Sequence, residues 1–147
     1  MLDLILKNGK CYIDGELKDV DIAIKDKKIQ QIGQILEEAK EAIDASGHTV
    51  LPGCIDTQTH FREPGSTDTE DLHSGSRAAI AGGITSVFEM PNTNPPTSNK
   101  QEFQRKFDLA KQRMHCNYAF YFGATAENAD DLASLKDLEG CCGIKLF

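Results

Sequence analysis

Two polar side chains, Gln58 and His60, lie at the end of an apolar run that begins at Leu51. Successive side chains of a β-strand point to opposite faces, so residues two positions apart share a face. The amide oxygen of Gln58 and an imidazole nitrogen of His60 could therefore bind one metal ion. The simpler alternative is a strand buried on both faces that runs into a polar loop closed by Pro64 and Gly65.

Three further residues have side chains suited to a binding site. Lys145 stands in the apolar segment 143–147, where burial would desolvate its amine, lower its pKa and leave a nucleophilic neutral group. Alternatively its stem is buried and its ammonium reaches water. Arg62 has a guanidinium that can bind a carboxylate through two hydrogen bonds, and Asn92 adds an amide donor. An ordinary salt bridge between Arg62 and Glu63 is the alternative for the arginine.

The elements that position these residues alternate between strand and helix, which is typical of parallel βα units. Strands are predicted at 50–57, 85–90, 117–123 and 142–147, and helices at 70–81, 99–114 and 128–138. We expect Asp68 or Thr69 to cap the first helix and Ser98, in a capping box with Gln101, to cap the second. In barrels of such units the site lies at the carboxyl ends of the strands, where the candidate residues stand.

The first 48 residues show a different pattern, with short alternating strands and Asn-Gly and Asp-Gly turns. We predict a meander of antiparallel strands, with one short helix within 35–43. The predicted domains are therefore 1–48, part of a small β-sandwich, and 49–147, a barrel segment.

Composition excludes several functional classes. The net charge is −7 and no lysine or arginine cluster contradicts it, which argues against nucleic-acid binding. No apolar run reaches transmembrane length, and the N-terminus lacks a secretory layout. The five cysteines have no Cys-x-x-Cys spacing. A reduced cytoplasmic protein with buried thiols is the simple interpretation.

Three segments resemble the cyclic amidohydrolases, and in particular the dihydroorotases. They are Asp-Thr-Gln-Thr-His-Phe-Arg-Glu-Pro-Gly at 56–65, Glu-Met-Pro-Asn-Thr-Asn-Pro-Pro at 89–96 and Gly-Ile-Lys-Leu-Phe at 143–147. The resemblance implies a TIM-type (β/α)₈ barrel with a small β-sandwich, and such a barrel takes about 250 residues. The chain stops after about four barrel strands, so we expect the N-terminal portion of a longer protein.

The resemblance also implies a zinc enzyme with one or two ions. His60 would be a ligand, and Lys145 would become a carbamate that bridges two ions. Gln58 stands where the family usually has a histidine, which would weaken the first metal position. Arg62 and Asn92 would hold the carboxylate of the substrate. The family's general base follows a late barrel strand, so we expect no catalytic residue within 1–147 and an inactive fragment.

The implied activity of the intact protein is the reversible hydrolysis of L-dihydroorotate to N-carbamoyl-L-aspartate in pyrimidine biosynthesis. One alternative is a non-catalytic subunit that assembles with aspartate transcarbamoylase, which Gln58 favours. Another is a hydantoinase or allantoinase type of hydrolase, which Arg62 disfavours because hydantoins lack a carboxylate. Half a barrel leaves an open sheet edge, so we expect a second copy, a partner or the remaining barrel to cover it.

Overall fold

The computed structural model describes residues 1–147, which form two compact units, Met1–Pro52 and Gly53–Phe147. The first unit contains only β-strands, whereas the second alternates strands with helices. No helix is long and apolar enough to span a bilayer.

Seven strands build the first unit. They are β1 (Leu2–Lys7), β2 (Lys10–Ile13), β3 (Glu16–Asp19), β4 (Asp21–Lys25), β5 (Lys28–Gly33), β6 (Ala39–Asp44) and β7 (Thr49–Val50). They form one sheet in the order β5-β4-β1-β6 and a second in the order β3-β2-β7. The buried side chains of Leu2, Ile5, Ala23 and Ile35 pack together as its core.

The structure corrects three predictions for this unit. Strands β1 and β2 do not form a hairpin, because β1 pairs with β4 and β6 while β2 pairs with β3 and β7. Two of these pairings, β1 with β6 and β2 with β7, are parallel, so the unit is not a simple meander. The helix expected within 35–43 is absent, since β6 pairs with a strand more than thirty residues away, a contact that no local pattern reports.

The second unit has four strands, two α-helices and one 3₁₀ helix. They are β8 (Cys54–Thr59), α1 (Leu72–Ala81), β9 (Ile84–Glu89), α2 (Lys100–Ala110), β10 (Asn117–Gly123), the 3₁₀ helix (Ala129–Asp137) and β11 (Cys141–Lys145). The strands form one sheet in the order β11-β10-β9-β8, and all three pairings are parallel. The predicted α/β class is confirmed, and the parallel sheet resembles half of a barrel.

Aromatic side chains of β10 and α2 fill the space between the sheet and the helices. Phe103 is 1% exposed and Phe120 is fully buried, and their rings meet edge to face with centroids 6.2 Å apart. Phe122 lies on the same face of β10 as Phe120 and joins this core. One face of the sheet is therefore the helix side, and the opposite face is called the inner face below.

Both helices begin at residues other than those predicted. Asp71 caps α1 by accepting a hydrogen bond of 2.6 Å from the Ser74 amide, and the Ser74 hydroxyl completes a capping box. Asn99, not Ser98, caps α2 by accepting from the Glu102 amide at 2.8 Å. The third predicted helix is a 3₁₀ helix, with only Leu135 buried.

The outer strands are less buried than the sequence suggests. Strand β8 begins at Cys54 rather than near residue 50, and Ile55 is 60% exposed. This overturns the expectation of a strand buried on both faces, because Thr59 is the one buried residue of β8. Buried thiols were also predicted too widely. All five cysteines are free, but only Cys11 is buried, Cys54 is exposed and the others are half-buried.

Candidate active site

The candidate residues follow β8 and β9 at the carboxyl edge of the sheet. The Met90 amide donates a hydrogen bond of 2.9 Å to the Thr59 carbonyl, which extends the pairing one step past β9. The two chains therefore leave the sheet side by side. One loop carries His60 and Arg62, and the other carries Asn92.

A hydrogen bond joins these two loops directly. His60 Nδ1 lies 2.8 Å from Asn92 Oδ1. An amide oxygen can only accept, so Nδ1 carries the proton and donates it. In the neutral ring, Nε2 then keeps its lone pair, which is the form in which imidazole binds a metal. In the structure the side-chain oxygen of Asn92 accepts this hydrogen bond from His60, and its predicted contact with substrate stays a prediction.

The register of β8 with β9 places His60 on the inner face. Thr59 lies opposite Glu89, whose side chain reaches Lys106 of helix α2 and so points to the helix side. Gln58 and His60, the two neighbours of Thr59, turn to the opposite face. The Gln58 amide nitrogen of the backbone is held by the Asp56 carboxylate at 2.9 Å, and its side chain is exposed.

Lys145 faces the same way as His60. It lies opposite Gly123 in the register of β10 with β11. Gly123 follows Phe122, which points to the helix side, so position 123 and its partner Lys145 belong to the inner face. The two sequence-predicted ligands on separate strands therefore share one face of the sheet.

His60 follows β8 and Lys145 ends β11, so these two predicted ligands belong to the two outermost strands of the sheet and not to neighbouring strands. Three strand spacings separate β8 from β11, which is about 14 Å along a flat sheet and less along a curved one. Lys145 is half-buried, and its Nζ lies over the ring of Phe147, 5.5 Å from the centroid.

Arg62 has no acidic partner. It is exposed, with a positive φ of 60°. The alternative of a salt bridge to Glu63 is wrong, because the Glu63 carboxylate accepts two hydrogen bonds from Arg113, at 2.7 and 3.1 Å. Glu63 also accepts from the Leu72 amide at 2.9 Å, which fixes the start of α1. The guanidinium of Arg62 thus remains free to bind an anion.

A buried ion pair under the two loops was missed in the sequence. Glu89 is 1% exposed and Lys106 is fully buried, and Lys106 Nζ contacts Glu89 Oε2. Burial raises the pKa of Glu89 to about 7, an effect that the Lys106 charge partly offsets. Burial also lowers the pKa of Lys106. The signal was present, since residue 106 lies at helical spacing from Phe103 and Ala110, on the inward stripe of α2.

The donors in this chain fit part of a metal site. His60 Nε2 is a suitable ligand, and the Gln58 amide oxygen is a weaker one on the same face. No group of three or more histidine, cysteine, aspartate or glutamate side chains is placed to hold a metal ion. Zinc usually takes four ligands, so these residues do not complete a coordination sphere.

Comparison with known proteins identifies relatives of the whole chain. The model of the Amidohydrolase family matches residues 49–140. The chain is 44% identical over 146 residues to an allantoinase of Escherichia coli O1:K1 / APEC, covering 99% of this chain and 32% of that protein. An allantoinase of Escherichia coli O139:H28 (strain E24377A / ETEC) has the same identity and coverage.

Solved structures agree with these relatives. L-Hydantoinase (dihydropyrimidinase) from Arthrobacter aurescens superposes with a TM-score of 0.88 at 32% identity, over 98% of this chain and 32% of that chain. D-Hydantoinase from Bacillus sp. AR9 gives a TM-score of 0.79 at 26% identity, over 98% of this chain and 32% of that chain. The chain therefore spans about a third of the length of the relatives it matches.

Proposed function

The chain belongs to the amidohydrolase family, and from this premise we propose that the protein hydrolyses the ring amide of a cyclic ureide such as allantoin or a hydantoin. The observation that carries the proposal is the 44% identity to allantoinases over 146 residues, which include every candidate site residue. The likeness to hydantoinase structures supports the same proposal. The expected dihydroorotase activity is not shown by these relatives, which favour the alternative instead.

In this proposal His60 and Gln58 contribute ligands to a divalent metal, with zinc the ion that suits the imidazole. Lys145 would join them only after conversion to a carbamate, which requires its neutral amine. The metal would supply Lewis acidity toward the ring carbonyl and a more acidic water. Asn92 keeps the proton of His60 on Nδ1, so that Nε2 stays available.

In this reaction Arg62 would bind the product of ring opening. Opening a cyclic amide with water breaks the C–N bond and leaves a carboxylate on the former carbonyl carbon. The guanidinium of Arg62 is exposed and unpaired, so it can receive that carboxylate through two hydrogen bonds. The absence of a carboxylate from the hydantoin ring is then no argument against the proposal.

The free guanidinium also favours a second candidate, dihydroorotase, whose substrate already carries a carboxylate. Steady-state assays of the protein that carries residues 1–147, with zinc added, on allantoin, hydantoin and L-dihydroorotate separate the two. The Arg62→Ala variant sharpens the comparison. It raises KM for dihydroorotate strongly, whereas the KM for an uncharged hydantoin ring changes little.

Three results are decisive. Turnover of allantoin or hydantoin without dihydroorotate supports the proposal, and turnover of dihydroorotate alone establishes the second candidate. No turnover together with zero bound metal removes both and leaves the non-catalytic subunit. For that subunit, aspartate transcarbamoylase stays the predicted partner, and co-purification of the two proteins tests it.

A further inference from the structure

Phe61 lies between the two candidate site residues His60 and Arg62, and both its backbone amide and its ring make contacts. Its amide donates a hydrogen bond of 3.1 Å to Glu89 Oε1. Its ring is 6% exposed and packs against Gly75 of α1, where an added Cβ would meet a ring carbon at 2.5 Å. These contacts hold the backbone of the residue between His60 and Arg62.

Lys106, the partner of Glu89, holds the loop that carries Asn92. Its ammonium contacts Glu89 and also donates a hydrogen bond of 2.9 Å to the Met90 carbonyl. Met90 stands two residues before Asn92. The ring of Phe120 lies below this ammonium, 5.3 Å from Nζ to its centroid. One ion pair thus connects the loop that carries His60 to the loop that carries Asn92.

Burying two charges is costly, and an apolar pair of similar volume is often as stable or more so. The Glu89–Lys106 pair therefore needs a role other than filling the core. Besides contacting each other, the two side chains make hydrogen bonds to backbone groups of the two loops, the Phe61 amide and the Met90 carbonyl. These contacts fix orientation, which an apolar pair cannot do.

We propose that Glu89 and Lys106 are positioning residues for the site, which hold the two loops at the spacing that lets Asn92 accept the Nδ1 proton of His60. Both residues are buried and contact backbone groups of the two loops. The inference rests on the proposed function only for the use made of His60, since the hydrogen bond itself is a structural fact.

The test reads the tautomer of His60 directly. Protein labelled with ¹⁵N-histidine is examined by NMR near pH 8, with the His60 resonance assigned from a His60→Gln variant. The parent protein shows a proton on Nδ1 and none on Nε2. Asn92→Ala removes the acceptor and gives the reference signature for a ring without this bond. Lys106→Met and Glu89→Gln are expected to shift His60 toward that reference signature.

Arg105→Met is the matched control, because Arg105 neighbours Lys106 in α2 but its side chain is 56% exposed. It is expected to leave the tautomer unchanged. Zinc affinity provides a second measurement, with a loss of about tenfold or more in Lys106→Met and Asn92→Ala. The conservative Lys106→Arg is expected to retain more of that affinity than Lys106→Met.

Two results overturn the proposal: a folded Lys106→Met that keeps the parent tautomer, or an equal change in Arg105→Met. If Lys106→Met does not fold, the double variant Glu89→Gln/Lys106→Met, which has no unpaired charge, decides by the same measurement. Failure of the proposed function has a different signature, because a protein without turnover still reports its His60 tautomer.

Discussion

The Lys106→Met variant makes a quantitative prediction about stability and pH. Lys106 and Glu89 are buried to 0% and 1% exposure, so solvent does not screen their interaction. Methionine fills similar volume but leaves the Glu89 carboxyl without its cation. The loss of the hydrogen bond from Lys106 to the Met90 carbonyl costs about 1 kcal/mol at any pH.

The additional cost depends on the protonation of Glu89. In the parent, its folded pKa is about 7 against an ordinary value of 4.5, so the folded state holds a proton that the unfolded state releases between these values. Stability therefore falls as pH rises from 4.5 to about 7 and then levels off. Without Lys106 the folded pKa is higher still, and the decline continues above 7 at up to about 1.4 kcal/mol per pH unit.

The difference in unfolding free energy between parent and Lys106→Met should thus be about 1 kcal/mol near pH 6 and about 3–4 kcal/mol near pH 9. The upper figure agrees with the usual cost of removing one partner from a buried pair. Urea unfolding at each pH, followed by tyrosine emission, measures it. Arg105→Met serves as the control, with a small difference at every pH. A Lys106→Met difference that stays flat from pH 6 to pH 9 would refute the reasoning.

Three further predictions follow from other contacts. Glu63→Gln weakens the two hydrogen bonds from Arg113 and the one from the Leu72 amide. It should lower the free energy of unfolding, measured with urea, by about 1–3 kcal/mol. An unchanged urea midpoint would contradict the role of Glu63 in holding the start of α1. Gly75→Ala places a methyl group against the Phe61 ring and should cost about 1–3 kcal/mol, with Ala78→Ser on the exposed side of α1 as a tolerated comparison. Gln58→His should tighten zinc binding measured by competition with a chelator, since imidazole is the stronger ligand, and weaker binding would place residue 58 outside the metal site.

Local sequence patterns predicted the elements whose structure depends on neighbouring residues in the chain. Strand β10 was predicted at its observed bounds, because the segment from Asn117 to Gly123 is rich in aromatic residues, which favour strands. The α/β class followed from the alternation of such elements. Strand β6 was predicted wrongly because its partner, β1, lies far away in sequence, and only the folded chain brings them together.

The sequence supplied candidate residues for a site, and their roles stay predictions, but it did not show how the side chains are connected. His60 and Asn92 were both singled out, yet their mutual hydrogen bond joins positions 32 residues apart and could not be read from either segment. Glu63 was considered only as an alternative partner for Arg62, its sequence neighbour, whereas its partner in the structure, Arg113, is 50 residues away. Lys106 was overlooked although its spacing from Phe103 and Ala110 placed it on the inward face of α2, and its partner Glu89 lies in a different element.

The order of the strands in the second unit has a consequence for how such a site evolves. His60 and Lys145 stand on the two outermost strands, so the gap between them depends on how strongly β9 and β10 bend the sheet. Phe88 and Tyr121 pack edge to face on those middle strands, with ring centroids 6.4 Å apart. Exchanging one aromatic ring for a smaller side chain would change the curvature of the sheet. Selection could in this way tune the fit of a ligand through the packing of the two middle strands.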